Sequence, residues 1–141
     1  MGAFPNLERL EREISITMAQ TTATDHDAAL TRLKHLRHGW LLLGGFAVMG
    51  LMLEVMHGFK LSWYLDVHNE TRHTMLRLGH AHGTFLGLVN IAFAATVERT
   101  VGRSQAWDQT SRLLSLSSIL LPGGFILGGV FTYDGDPGLG I

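Results

Sequence analysis

Three long apolar runs constrain what this chain can fold into more than any other feature. They cover residues 39–59, 78–97 and 113–133, and polar segments separate them. An apolar stretch of about 20 residues is long enough for a helix to cross a hydrocarbon core of roughly 30 Å. A backbone that crosses a membrane must satisfy its own hydrogen bonds, and a helix does so. The sequence therefore predicts an all-α integral membrane protein with a bundle of three transmembrane helices.

A polar N-terminal segment precedes the apolar runs. Residues 1–23 contain no apolar core of a secretory signal, so we expect a flexible cytosolic arm. Its apolar residues at helical spacing are Leu7, Leu10 and Ile14. Thr24 and Asp27 have the spacing of a capping box, which predicts a helix start there and a transmembrane domain at residues 24–141. The chain ends with a turn and a few apolar residues, so its helices are expected to be a complete set or the first three of four.

Composition and motifs exclude several classes of function. The absence of cysteine excludes disulfides, thiolate zinc sites and cysteine nucleophiles. A formal charge of −1 gives no sign of the basic face that nucleic-acid-binding proteins present. The sequence contains no G-x-S-x-G, no phosphate-binding glycine loop and no H-E-x-x-H. These observations favour a protein that is not an enzyme and whose first partner is the lipid bilayer.

Basic residues predict the orientation of the chain in the membrane, because positively charged loops stay in the cytoplasm. Such residues flank the first run on its N-terminal side and fill the loop between the second and third runs: Arg32, Lys34, Arg37, Arg99, Arg103 and Arg112. Fewer basic residues, Lys60, Arg72 and Arg77, lie between the first and second runs. The balance places the N-terminus in the cytoplasm and the C-terminus on the outer side.

Small residues form a stripe along the second predicted helix. Gly79, Gly83 and Gly87 recur every four residues, and Asn90 continues the same face at about 100° per residue. Small residues at this spacing let membrane helices approach closely. The third helix offers Gly124 and Gly128 at the same spacing, and we expect Asn90 to hydrogen-bond across a helix interface. Such stripes predict packing against other transmembrane helices, in a hetero-complex or a homo-oligomer.

Candidate metal ligands lie near the outer ends of the first two runs. Glu54 and His57 share a helix face. In antiparallel helices that rise about 1.5 Å per residue, His80 and His82 would lie at the same depth as this pair. His80 and His82 are about 200° apart around their helix, so we expect one to be a ligand and the other to lie outside the site.

A further histidine, His73, falls on nearly the same side of the second helix as His80. Imidazole suits zinc, copper and haem iron, so the cofactor suggested here is a transition metal or haem. The candidate ligands are Glu54, His57, His73, His80 and His82. Hydrogen bonding at the membrane interface is the alternative interpretation of the same side chains.

Two functions from different classes fit these patterns. The first is a small non-catalytic membrane subunit that packs against a larger membrane protein complex. The second is a membrane redox protein that binds a metal or haem through histidine and glutamate near the outer leaflet. A transporter or proton channel is less favoured, because three helices per chain would need oligomerisation to enclose a path.

Overall fold

The computed structural model describes residues 5–66, 68–97, 105–132 and 135–138. Its helices are α1 (Pro5–Gly58), α2 (Glu70–Val97) and α3 (Gln105–Val130), and no β-strand occurs in these ranges. The predicted all-α class is confirmed. Two of the described helices, α1 and α3, contain segments long and apolar enough to cross a membrane. Arg99 and Arg103, on which the predicted orientation partly depends, lie outside the described residues, as do residues 1–4, 133–134 and 139–141.

The first helix begins far earlier than its sequence suggests. α1 begins at Pro5, so the helix start predicted at Thr24 is wrong. The Thr24 hydroxyl donates to the Thr21 carbonyl oxygen at 2.8 Å, as a residue inside a helix does, and caps no free amide. Between Pro5 and Gly39 the sequence contains neither proline nor glycine, so no residue there interrupts the helix. Salt bridges between residues four apart, such as Arg9–Glu13 at 3.1 Å, stabilise the exposed part of this helix.

The end of α1 is a Schellman motif. The Leu61 amide donates to the Met56 carbonyl oxygen at 3.0 Å, and the Lys60 amide donates to His57 at 3.1 Å. Lys60 adopts a φ of 51°, the left-handed conformation that this motif requires and that usually falls to glycine. The chain therefore turns sharply at the end of the first apolar run.

The start of α2 is fixed by side chains of the connecting segment. Asn69 caps the helix, because its Oδ1 accepts a bond of 3.3 Å from the Arg72 amide. Its Nδ2 donates to the Thr132 hydroxyl at 2.8 Å and joins this corner to the end of α3. The Arg72 guanidinium donates to the Trp63 carbonyl at 2.9 Å and lies 4.7 Å from the centre of the Trp63 ring. These contacts join the connecting segment to the start of α2 and to the end of α3.

The three helices lie side by side with α2 in the middle. α2 packs along both α1 and α3, whereas α1 and α3 meet at few points. Successive contacts of α1 with α2 run in opposite chain directions, from Gly39 against Gly87 to Gly50 against His80. α2 and α3 are also antiparallel, since Gly79 lies against Ile126. Both neighbours therefore run opposite to α2.

Small residues allow these contacts. Gly79, Gly83, Gly87 and Asn90 of α2 are all buried. A Cβ atom on Gly83 would lie 2.2 Å from the Phe46 ring, and one on Gly87 would lie 3.1 Å from the Gly39 carbonyl oxygen. On α3, Gly128 is buried and Gly124 half-buried. A Cβ on the neighbouring Gly129 would lie 2.8 Å from Leu76 Cγ. Glycine is therefore the residue that permits the observed spacing of α2 from both neighbours.

The observed register of α1 against α2 differs from the predicted one. Aligning the centres of the two apolar runs places residue 49 opposite residue 87 or 88, whereas Gly50 lies against His80. The predicted equal depth of His57 and His80 is therefore wrong by about two helical turns, since Gly50 takes the place opposite His80. The register follows the points of closest backbone approach, since Gly39 meets Gly87, and not the centres of hydropathy. His80 consequently lies level with the middle of the first apolar run.

Candidate functional site

A cleft between α1, α2 and their connection collects most of the predicted ligands. We name it the outer cleft, and its volume is about 440 Å³. Its lining includes Glu54, His57, Tyr64, His73, Arg77 and His80. Glu54 and His57 come from α1, where positions three apart share a helix face. His73, Arg77 and His80 come from α2, which the turn after Lys60 brings against α1. The structure thus brings Glu54, His57, His73 and His80 around one opening.

Two histidines face each other in the cleft. The ring centres of His57 and His73 are 6.2 Å apart. The Tyr64 ring, which is buried in a small apolar core with Leu53 and Leu76, packs edge-on against His73 at 4.7 Å. Burial lowers the pKa of His73, and the charges of Arg77 and His57 lower it further, while Glu70 opposes them. His73 is therefore biased toward its neutral form, which is the form that binds a metal.

The phenol in this corner is held protonated. Burial raises the pKa of the Tyr64 phenol, Arg77 acts in the opposite direction, and the Glu54 carboxylate adds to the rise. Tyr64 is only 2% exposed. At neutral pH it therefore contributes an aromatic wall and no negative charge to the cleft.

His80 is fixed by a backbone carbonyl. Its Nδ1–H donates to the Phe46 carbonyl oxygen at 2.8 Å. The ring lies directly on α1 at Gly50, where a Cβ atom would come within 2.5 Å of His80 Cε1. A histidine that donates from Nδ1 in this way presents an unprotonated Nε2 when neutral, as histidine ligands usually do.

His82 does not belong to this cluster. Its ring packs against Phe125 of α3 with 4.8 Å between ring centres, and its Nδ1 bonds to the Leu78 carbonyl oxygen within its own helix. The physical reason is helix periodicity, since His80 and His82 lie about 200° apart. Grouping His82 with the other four candidate ligands is therefore corrected.

The cleft does not enclose a finished metal site. Across the described ranges, no three His, Cys, Asp or Glu side chains are close enough together to hold a metal ion. His57 and His73 form a pair, and Glu54 and His80 line the same opening at a greater distance. A ligand role for these residues stays a prediction.

A second polar cluster, at the other end of the molecule, joins all three helices. His35 of α1 is fully buried and has a partner at each ring nitrogen. Its Nδ1 donates to Asn90 Oδ1 of α2 at 2.7 Å, and its Nε2 lies 2.7 Å from the Ser111 hydroxyl of α3. Asn90 Nδ2 donates to the Leu86 carbonyl at 2.8 Å. A neutral His35 that accepts from Ser111 satisfies every one of these groups.

Aromatic rings and a second histidine surround this cluster. Phe93 packs edge-on against His35 with 4.6 Å between ring centres, and it packs in a tilted arrangement against Trp107 at 5.1 Å. One helical turn along α1, the His38 Nε2 lies 2.8 Å from the Ser118 hydroxyl of α3. We name His35, His38, Asn90, Ser111 and Ser118 the inner polar cluster. Its bonds connect α1 to α3, which otherwise meet at few points.

Sequence reasoning identified Asn90 but missed the two histidines. Both precede the first apolar run, in a segment whose basic residues are typical of a polar flank. A usable signal was present, because His35, His38 and Gly39 share one face of α1. On α3 the matching signal is Ser111 and Ser118, seven residues and two helical turns apart. Comparison of the chain with protein-family models, curated proteins and solved structures found no match.

Proposed function

We propose that this chain is a small, non-catalytic integral membrane subunit that packs against a larger membrane protein complex. The observation that carries the proposal is a long segment of α1 that is exposed over its whole length among the described residues. Asn6–Asp27 is helical, and every side chain in it is exposed. It extends over roughly 33 Å at 1.5 Å per residue. Since most helical stability in proteins comes from packing, such a segment suits a partner's surface.

The exposed segment has an apolar face. At about 100° per residue, Leu7, Leu10, Ile14 and Met18 fall within about 80° of one another, while Ile16 falls on the opposite side. These side chains are 49–65% exposed. A narrow apolar stripe on a polar helix is typical of a helix that docks on another protein. We name Leu7, Leu10, Ile14 and Met18 the arm stripe.

Exposed apolar side chains on α1 and α3 support a membrane location. Leu51 of α1 is 66% exposed and Leu120 of α3 is 67% exposed, and both lie within the apolar runs. In water, surfaces of this kind would be costly, whereas lipid covers them favourably. α2 packs along the first apolar run, from Gly39 to Gly50, and along α3, so it crosses the bilayer if they do. The proposed protein is therefore multi-pass, with a cytoplasmic N-terminus and an outer C-terminus.

The arm stripe gives a test with a matched control. Changing Ile14→Glu places a charge in the stripe, and we expect partner proteins to be lost when the variant is purified from its native membrane in mild detergent. Ile16→Glu makes the same change on the opposite face at similar exposure, 57% against 54%. Partner recovery with Ile16→Glu should match the wild type within about twofold and exceed that with Ile14→Glu by roughly tenfold, since a buried charge costs more than 1.4 kcal/mol.

Three results would contradict the proposal. They are a wild-type chain that purifies alone as a monomer, equal partner recovery in both variants, and loss of partners only with Ile16→Glu. Recovery of a second copy of the chain in place of a different protein would support the homo-oligomeric form of the same proposal. Size-exclusion chromatography with light scattering separates the two.

A metal-binding function is the second candidate, favoured by the His57–His73 pair. Two imidazoles that bind one ion at about 2.0–2.1 Å have ring centres roughly 5–6.5 Å apart. The observed separation is 6.2 Å. Glu54, one helical turn from His57, would add a carboxylate ligand after a change of side-chain rotamer. His80 lines the same cleft, and its Nδ1 bond to the Phe46 carbonyl leaves its Nε2 as a ligand atom.

Metal binding can be measured directly. We expect purified protein to bind Zn²⁺ in isothermal titration, and His57→Ala combined with His73→Ala to weaken binding by at least about tenfold. His26→Ala is the control, because His26 lies on the exposed arm. A visible absorption spectrum of the native preparation tests haem in the same sample. Absence of binding, or an equal loss with His26→Ala, would rule out this candidate and leave the subunit proposal standing.

A further inference from the structure

A shallow groove lies on α1 where the first apolar run begins. Its volume is about 410 Å³, and its lining consists of Leu30, Leu33, Lys34, Arg37, His38 and Leu41. These positions follow the spacing of one helix face, so cationic and apolar side chains alternate along the same surface. The groove is separate from the outer cleft, which lies beyond Gly50 on the same helix. It is also distinct from the arm stripe.

The cations of the groove are available to a ligand. Lys34 and Arg37 are exposed, and among the described residues neither forms a salt bridge. The other exposed arginines near the N-terminus behave differently, since Arg9 and Arg12 pair with Glu13 and Glu8. Two unpaired cations one helical turn apart form a site for an anion of phosphate size.

His38 is the third polar group of the groove, and it also belongs to the inner polar cluster. His38 Nε2 lies 2.8 Å from Ser118 Oγ of α3. This bond fixes the imidazole at the edge of the groove and ties the groove to the bundle. The bond therefore keeps the cations of the groove at a fixed distance from the apolar side chains of α1 and α3.

Apolar side chains adjoin the cations. Leu33 is 63% exposed and Leu41 is 65% exposed. Leu41 lies inside the first apolar run, one helical turn from Arg37, or about 6 Å along the axis. A free inorganic anion gains nothing from such neighbours, whereas a phospholipid presents a phosphate and acyl chains at this spacing.

We propose that Lys34 and Arg37, with Leu41 beside them, bind the headgroup phosphate and upper acyl chain of an anionic phospholipid. The proposal rests on the membrane location proposed above. Basic side chains at the boundary of a membrane-spanning helix are placed where anionic headgroups concentrate. The arrangement would also hold α1 at a fixed height in the membrane.

The test is retention of lipid by the full chain. Protein incubated in mixed micelles with equal phosphatidylglycerol and phosphatidylcholine is repurified, and the bound lipids are counted by native mass spectrometry. We expect the wild type to retain phosphatidylglycerol preferentially. Lys34→Gln combined with Arg37→Gln should lower that preference about 25-fold, or roughly fivefold per cation. Arg9→Gln with Arg12→Gln makes the same charge change on the same helix and should leave the preference intact.

Two further arms separate the alternatives. Lys34→Arg with Arg37→Lys keeps both charges, so it should retain the preference and exclude misfolding as the cause of the loss. Inorganic phosphate at millimolar concentration should displace lipid far less than short-chain phosphatidylglycerol does. Equal loss in both glutamine variants, an unchanged preference in Lys34→Gln/Arg37→Gln, or equal displacement by phosphate would overturn the proposal. None of these outcomes affects partner recovery through the arm stripe, so a failure here is distinguishable from a failure of the subunit proposal.

Discussion

Replacing His35 by alanine is expected to destabilise the protein by about 2–4 kcal/mol, because one side chain holds all three helices. The change leaves Asn90 Oδ1 and the Ser111 hydroxyl buried without their partners. It also opens a cavity beside Phe93, whose ring lies 4.6 Å from His35. Hydrogen bonds between membrane helices average only about 0.6 kcal/mol, so the cavity and the unpaired groups supply most of the loss.

The measurement is thermal or denaturant unfolding in detergent, followed by circular dichroism. His26→Ala is the control, since His26 is an exposed histidine of the same helix and its loss should change stability by less than about 0.5 kcal/mol. Asn90→Ala removes the next member of the cluster and should not add fully to His35→Ala, because the two residues share a bond. Equal stability of His35→Ala and His26→Ala would contradict the role of the inner polar cluster.

Two glycine-to-alanine changes on α1 are expected to have opposite signs. A Cβ atom on Gly39 would lie 2.7 Å from the Gly87 carbonyl oxygen, which is backbone and cannot turn aside. We expect Gly39→Ala to push α1 away from α2 at a cost of about 1–3 kcal/mol, partly offset by the better helix propensity of alanine. Gly45 has nothing within 4 Å of the same position, so Gly45→Ala should stabilise the helix by up to about 1 kcal/mol.

Both variants are compared by the same unfolding measurement. The pair is informative because the substitution, the helix and the loss of glycine flexibility are identical. Only the contact across the helix interface differs. Destabilisation of similar size in both variants would show that chain flexibility, and not the approach of α1 to α2, is the reason for glycine at these positions.

The sequence predicted which face of α2 is buried better than it predicted which residues of α1 lie opposite that face. The stripe from Gly79 to Asn90 lies buried, as side-chain periodicity alone requires. The alignment of this face with α1 depends on which residues of the two helices come into contact. Nothing in the sequence identifies the contacting pairs, Gly39–Gly87 and Gly50–His80. Hydropathy centres predict a different alignment because the length of an apolar run, and not the contact between helices, determines where its centre lies.

The sequence also predicted part of the candidate site, because it shows which residues share a helix face. Glu54, His57 and His73 line the outer cleft, since positions on one face of each helix meet across an antiparallel pair. The histidine partner of Asn90 in the inner polar cluster was missed because His35 and Ser111 lie in polar segments that flank the apolar runs. Their burial depends on how far α1 and α3 extend past the apolar runs, which only the packed structure reveals.

The central claim is that α2 crosses the bilayer between α1 and α3, and labelling of single cysteines tests it most directly. The chain has no cysteine of its own, so each introduced thiol reports alone. Phe85 is 62% exposed and lies between the contact points Gly83 and Gly87. In sealed vesicles, Phe85→Cys should resist a membrane-impermeant maleimide until the bilayer is dissolved, while Thr22→Cys and Lys60→Cys should label from opposite sides. Rapid labelling of Phe85→Cys, or labelling of Thr22→Cys and Lys60→Cys from the same side, would contradict the proposed membrane topology.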